Sequence, residues 1–384
     1  MRCIPFFLGT TVLLALFACT GDSAQNRGHG KAILPWEENG QYWAWEGKEP
    51  VLLLGAGTDD NLFQSPTFIE ELGVLKDAGG NYVRCALHSR GKRDRAPFAV
   101  DSLARRFVFD EPDSIYWARL ADLLEVAAGY NHVVQLEGWR GELYQRDSLA
   151  TDGFARAFAE QVAAIAAGYS NILYAPLDDI SPEDTLFSSE DWADKRGPFF
   201  TDDSRDQYGL EGQAHWRWLL ERHGQTDYPR NAAALTGHGA NPAVVDGTAQ
   251  FNRALLAGHA AVRHAREPIG SGLSGVALSS IRTIRSIERT FKLWNLTPAP
   301  EIIVGEPGVA YPAKDSLNNY LVYLAGPGSV TVQLDTEDQR PIRVSVVGYL
   351  GTRRSELLTP PYGSTFTIST EDDRGAWLLM KKED

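Results

Sequence analysis

The sequence has only three cysteines in 384 residues, too few for a disulfide scaffold or a multi-cysteine zinc site. It also lacks an excess of positive charge. Asp and Glu number 50 against 37 Lys and Arg, a net charge of −13. That balance excludes nucleic acid as a partner, because a surface that tracks phosphates needs clustered Lys and Arg. A dinucleotide fingerprint is missing after the first apolar run, where Gly55-Ala56-Gly57 leads into Thr58-Asp59-Asp60 rather than a Gly-x-Gly-x-x-Gly turn. His88, His215 and His238 fall at no metal-ligand spacing, so neither a metal nor any other cofactor is expected.

What is present starts at the N-terminus. Arg2 gives a positive n-region, Ile4 to Phe17 is largely apolar, and Leu16-Phe17-Ala18-Cys19 closes the run with a small residue before cysteine. This pattern is that of an exported lipoprotein with Cys19 lipidated, or of an ordinary secretory leader in which Cys19 is incidental. The run is shorter than the roughly 20 apolar residues of a membrane span, and no later segment approaches that length. Residues 1–19 are therefore read as a leader and 20–33 as a polar linker, which implies a lipid anchor in the bacterial cell envelope. Once the leader is gone, Cys85 is the remaining free thiol, and its apolar surroundings from Tyr82 to Leu87 suit a buried packing residue.

The apolar fraction of 43% supports substantial cores, and the length suits two domains. Four near-continuous apolar runs, Val51–Gly57, Tyr82–Leu87, His132–Gly138 and Ile172–Leu177, read as strands buried on both faces. Helical patterns separate them at Pro66–Ala78, Ser114–Gly129 and Gly153–Gly168, each expected to stop at glycine. Such alternation predicts parallel strands in an α/β fold, with a barrel favoured over an open sheet. Past Asp179 the rhythm weakens. Helices are expected at Thr248–His259 and Val276–Lys292 with a strand in Ala260–Glu267 between them, and one strand-helix unit is missing from the series. From about Glu301 the pattern changes to short strands at Gly308–Pro312, Asn319–Ala325, Ser329–Leu334, Pro341–Val347, Gly363–Ile368 and Ala376–Lys381. The expected organisation is a (β/α)8-type TIM barrel over 34–300, one unit short, followed by a small antiparallel β-sandwich over 301–384.

At this point specific motifs carry a resemblance. Asn39-Gly40-Gln41-Tyr42, Gly47-Lys48, Val51-Leu52-Leu53-Leu54, Gly80-Asn81-Tyr82-Val83-Arg84 and Val133-Val134-Gln135-Leu136-Glu137 resemble the front half of apiosidase-like glycoside hydrolase barrels. Arg253-Ala254-Leu255-Leu256-Ala257-Gly258, Arg263-His264, Ser271-Gly272-Leu273-Ser274 and Ser280-Ile281-Arg282 are similar to the back end. Asn318-Asn319-Tyr320-Leu321-Val322-Tyr323-Leu324, Gly328-Ser329-Val330-Thr331-Val332 and Gly375-Ala376-Trp377 are similar to the β-domain that follows such barrels, a domain labelled collagen-binding. The resemblance implies a glycosidase-type barrel acting on a polysaccharide or other glycan.

Barrel enzymes keep their chemistry at the C-terminal ends of the strands, which here directs attention to Asp59 and Asp60, His88, Glu137 and Trp139, and Asp178 and Asp179. Glycoside hydrolysis needs two carboxyl groups, about 5–5.5 Å apart for retention or about 6.5–9.5 Å for inversion. Where the resemblance implies an Asn-Glu pair with Glu as acid/base, the chain reads Leu177-Asp178-Asp179-Ile180. Asp179 is shorter than Glu by one methylene, about 1 Å of reach, and a misplacement of that size costs about a hundredfold in rate. Glu137, on the neighbouring strand, or Asp178 supplies the second carboxylate. Strand-end carboxylates also cap helices, and Glu137 could instead pair with Arg140 or Arg84. Asp59, Asp60, Arg84, His88, Trp139, Tyr144 and Trp216 are the substrate-binding candidates, the aromatics by stacking on sugar rings; core packing is the competing role for the aromatics, and helix capping for the Asp59-Asp60 pair. The alternative to a hydrolase is a non-catalytic glycan-binding lipoprotein on a degenerate barrel.

Overall fold

The computed structural model describes residues 32–38, 42–56, 61–87, 94–137, 154–175, 248–256, 260–264, 273–305, 310–334, 340–358 and 365–383. The chain enters through three short antiparallel strands, β1 (Ile33–Pro35), β2 (Trp43–Trp45) and β3 (Pro50–Val51). The expected single strand at Val51–Gly57 is thus split. Val51 pairs antiparallel with Trp43, while the parallel sheet starts afresh at β4 (Leu53–Ala56).

The α/β part then alternates as the apolar runs predict. Helix α1 (Phe68–Asp77) leads to β5 (Tyr82–Ala86), and a hairpin of β6 (Phe98–Asp101) and β7 (Arg106–Pro112) precedes α2 (Ser114–Gly129). There follow β8 (Val133–Glu137), α3 (Phe154–Ala166), β9 (Ile172–Ala175), α4 (Thr248–Leu256), β10 (Ala261–His264) and α5 (Gly275–Glu288). Their strands form a five-stranded sheet in the order β10-β4-β5-β8-β9, parallel at every pairing. Among the described strands of this sheet, the last in chain order, β10, therefore lies against the first, β4.

Local chemistry sets the helix boundaries. Asp113 caps α2, its Oδ1 accepting from the backbone N–H of Ile115 at 3.0 Å and Tyr116 at 2.8 Å, which satisfies donors the helix leaves open. The buried face of α2 runs Tyr116, Trp117, Leu120, Leu123, Leu124, Ala127 and Ala128, the 3–4 spacing of one helical stripe. Helix α1 stops as expected at glycine, with Gly79 at φ +85° in the left-handed position that lacks a side-chain penalty. Helix α2 also ends at its expected glycine, Gly129, but the left-handed turn that follows is taken by Asn131 at φ +56°, a conformation its short polar side chain tolerates.

Arg285 of α5 fastens the first strands to this helix. Its Nε donates to the Gly79 carbonyl at 2.7 Å and its Nη2 to the Leu52 carbonyl at 3.0 Å, while Nη1 bonds Glu288 at 2.6 Å.

The C-terminal part comprises β11 (Thr297–Pro298), β12 (Ala310–Lys314), β13 (Tyr320–Leu324), β14 (Gly328–Gln333), β15 (Ile342–Gly348), β16 (Arg353–Leu358), β17 (Thr365–Thr370) and β18 (Ala376–Lys382). Six of these form one antiparallel sheet, β11-β12-β13-β18-β15-β16, and β14-β17 form a separate ribbon. Alternate residues of β13 and β18 belong to different cores. Tyr320, Val322, Leu324, Leu378 and Met380 join Val330 and Val332 of the ribbon, whereas Leu321, Tyr323, Trp377 and Leu379 join the core of the α/β part. The six-stranded sheet is a middle layer covered on both sides, which explains why an antiparallel strand reads as unbroken Tyr-Leu-Val-Tyr-Leu rather than as an apolar-polar alternation.

Candidate functional site

The register of the parallel sheet sorts its side chains into two faces, because in-register partners point the same way and successive residues alternate. Ala56, Val83, Leu136 and His264 share one face. That face lies under the helices: Ala56 and Val83 line a small apolar cavity with Leu72, Leu75 and Leu278, and the His264 ring stacks on Phe251 of α4 at 4.2 Å and 14°. Cys85 is on the same face, fully buried, as expected of a packing residue. Tyr116 packs nearby, and burial pushes its hydroxyl well above its ordinary pKa, with Cys85 adding to the shift.

The other face is polar. Arg263 stands in register with Gly55, Gly55 with Tyr82, and Arg84 with Gln135. All four polar or hydroxyl-bearing side chains are buried, Arg84 at 3%, Gln135 at 3% and Arg263 at 2% exposure. Tyr82 donates its hydroxyl proton to Gln135 Oε1 across the strand pair. Two guanidinium groups, an amide and a phenol buried on one sheet face are costly to desolvate unless paired, and convergent buried polar groups of this kind are one mark of a candidate binding site.

Gly55 keeps the face close-knit. A Cβ at this position would fall 1.6 Å from the Tyr82 carbonyl oxygen and 2.5 Å from its carbon, so only glycine lets β4 approach β5 here.

Of the residues singled out from the sequence, Arg84 lies on this polar face. Glu137 is the last residue of β8, two positions beyond Gln135 and in register with Ala86 on one side and Ala175 on the other. Asp59, Asp60, His88, Trp139, Tyr144, Asp178, Asp179, Trp216 and Cys19 lie outside the described residues. In sequence, the Asp59-Asp60 pair follows β4, His88 follows β5, Trp139 and Tyr144 follow β8, and Asp178-Asp179 follow β9 three and four residues after Ala175. Sequence reading did not assign Gln135, Tyr82 or Arg263 to the site. The available signal was a polar residue inside an otherwise apolar strand, and only the register tells which face it takes.

No group of three or more His, Cys, Asp and Glu among the described residues is placed to hold a metal ion, and no described helix is long and apolar enough to cross a membrane.

No protein-family model matches the chain, and no curated protein matches it. Solved structures do. A glycoside hydrolase family 5 protein from Bacteroides vulgatus ATCC 8482 superposes with a TM-score of 0.64 at 15% identity, over 92% of this chain and 93% of that one. A structure described as a glycoside hydrolase gives a TM-score of 0.61 at 12% identity, over 93% of this chain and 98% of that one. Both parts of the molecule are included in these spans, and at such identities the likeness is one of fold. In fold, the five-stranded parallel sheet with its antiparallel C-terminal layers is therefore like these two solved structures.

Proposed function

We propose that this protein hydrolyses glycosidic bonds in a polysaccharide, with Glu137 and the Asp178-Asp179 pair supplying the carboxyl groups. The observation that carries the reading is the register at the end of β8. Glu137 pairs with Ala175, so the strand that leads to Asp178 and Asp179 is its hydrogen-bonded neighbour. Adjacent parallel strands run about 4.8 Å apart, so β8 and β9 deliver their C-terminal ends side by side, and the chain reaches Asp178 and Asp179 three and four residues after Glu137's register partner Ala175. The reading requires that they return to within the carboxyl separation glycoside hydrolysis uses. In the proposed scheme Asp179 protonates the leaving oxygen and Glu137, or Asp178, attacks or activates water. Arg84 and Gln135 lie deeper on the same sheet, in register with each other. Asp59, Asp60, His88, Trp139, Tyr144 and Trp216 are proposed to bind the sugar.

The finer structural reading belongs here too. The parallel sheet is taken as the described arc of a (β/α)8-type barrel, of the apiosidase-like kind by the motifs, with the C-terminal layers as its collagen-binding-type β-sandwich. The leader is proposed to leave Cys19 lipidated, anchoring the protein in the cell envelope; incorporation of labelled palmitate that disappears in Cys19→Ala tests this.

A second reading, a glycan-binding protein without catalysis, is favoured by one feature, the Asp178-Asp179 sequence where the resemblance implies Asn-Glu. Glycan release and glycan binding by the full-length chain and Asp179→Ala, across a polysaccharide panel, separate the two. Release lost in the variant with binding kept supports the hydrolase. Equal binding with no release by either protein overturns it.

A further inference from the structure

The three N-terminal strands form a groove at the other end of the sheet from Glu137. Ile33 donates its backbone N–H to the Ser170 carbonyl at 3.1 Å, and Ser170 precedes the first residue of β9, so this small sheet sits at the N-terminal edge of the parallel strands. The groove has a volume of about 210 Å³. Its floor is Leu34 and Ala44, register partners on β1 and β2. Trp36 and Trp45 line it while packing partly on the core. Gly47, at φ +67°, turns the chain so that Lys48 donates its N–H to the Trp45 carbonyl at 2.8 Å, and Glu46 and Lys48 stand exposed at the rim.

This composition matches one class of ligand. A pyranose or furanose ring offers an apolar C–H face and a circle of hydroxyls. The partly buried Trp36 indole, which follows Leu34 by two residues, takes the first, and carboxylates that accept, beside an ammonium that donates, take the second. Three carboxylates, counting Glu37 and Glu38, against Lys48 disfavour an acidic sugar by like-charge repulsion. The volume lies below the roughly 300–1,000 Å³ of pockets that enclose drug-sized molecules, which suits one ring of a longer chain.

We infer that this groove is a second glycan-binding site, for a neutral polysaccharide, separate from the polar face of the parallel sheet. The inference rests on the glycan reading above but not on its catalytic part. A site at the far end of the same molecule holds a polymer by a second contact and raises the effective concentration of the chain at the first.

The test is native electrophoresis of the full-length protein through gels containing xylan, β-glucan, mannan or arabinan, with polygalacturonate as the acidic comparison. Trp36→Ala and Glu46→Ala are run beside the wild type. Glu46 is exposed, so its variant keeps the fold even if Trp36→Ala does not. Retardation of the wild type by at least one neutral polymer, weakened about fivefold or more by Trp36→Ala and about twofold or more by Glu46→Ala, is expected; loss of one stacked ring is worth that much. Glycan release from soluble oligosaccharides should be unchanged in Glu46→Ala. Retardation that Trp36→Ala and Glu46→Ala abolish in a protein that releases no glycan leaves this site standing and removes the catalytic reading. Absence of retardation by every neutral polymer, wild-type retardation in both variants, or equal retardation by polygalacturonate overturns the inference.

Discussion

Two alanine substitutions at glycine should have opposite signs. At Gly55 the added methyl meets the Tyr82 backbone, oxygen at 1.6 Å and carbon at 2.5 Å, against an ordinary contact of 3.4–4 Å. No flexible side chain can give way, so β4 must move from β5 by more than an ångström. Replacing glycine reduces unfolded-chain entropy and stabilises by about 0.4–1 kcal/mol, whereas overpacking a well-ordered core costs about 1–3 kcal/mol or more. The clash wins, because backbone has to shift. Gly73, inside α1, has nothing within 4 Å of the same added atom, and alanine there gains about 0.5–1 kcal/mol in a helix interior. About 1 kcal/mol shifts Tm by about 2–4 °C in a domain of 150–250 residues. Thermal scans should therefore show Gly55→Ala melting at least about 3 °C below the wild type and Gly73→Ala slightly above it. A Gly55→Ala protein at or above the wild-type Tm would refute the close approach of β4 to β5 and with it the packing of the polar face.

Three further outcomes follow from the same contacts. Asp113→Ala removes the cap of α2 and the 2.8 Å ion pair to Arg95, and should lower stability by about 1–2 kcal/mol in a urea titration. Tyr82→Phe leaves the buried Gln135 oxygen without its donor and should cost about 1–3 kcal/mol by the same measurement, with no change of fold by circular dichroism. His132 is pushed down to about 4 by burial, with the Gly80 backbone opposing and Lys76 adding to the drop. The unfolded chain takes up this proton below about pH 6.5 but the folded protein only near 4, so the contribution is full above 6.5 and is lost as pH falls toward 4, a change of about 3 kcal/mol at most. Urea midpoints at pH 7 and pH 4.5 should differ less in His132→Leu than in the wild type; an equal difference removes His132 as a cause.

The parallel strands were legible because each is buried on both faces and so reads as an unbroken apolar run: the expectation at Tyr82–Leu87 meets β5 at Tyr82–Ala86. Helix α2 was legible to the residue, Ser114–Gly129 in both sequence and structure; the Asp113 cap and the buried stripe from Tyr116 to Ala128 give the physical reason for those bounds. Strand β16 was not foreseen. Its Arg-Arg-Ser-Glu-Leu-Leu sequence is exposed along nearly its whole length, so burial left no period to read, and only pairing with β15 makes it a strand. The N-terminal strands β1 to β3 are two or three residues each, shorter than any periodicity can mark, and the split at Val51 reflects a change of partner rather than of composition. The hairpin β6-β7 escaped for a related reason, since its buried residues, Phe98 and Phe107, are separated by an exposed turn around Leu103. At the site, Arg84 was singled out from the sequence, but its company was not. Gln135 and Arg263 sit in apolar strands four and more elements away along the chain, and only sheet register brings them to one face.

The most direct test of the catalytic account is the rate of reducing-sugar release from a responsive polysaccharide by the full-length protein and by Glu137→Gln, which keeps shape and removes charge. The account predicts release by the wild type and a loss of at least about a hundredfold in the variant, the low end of what a positioned carboxylate contributes. Release at the wild-type rate by Glu137→Gln, in a protein that still melts like the wild type, contradicts it.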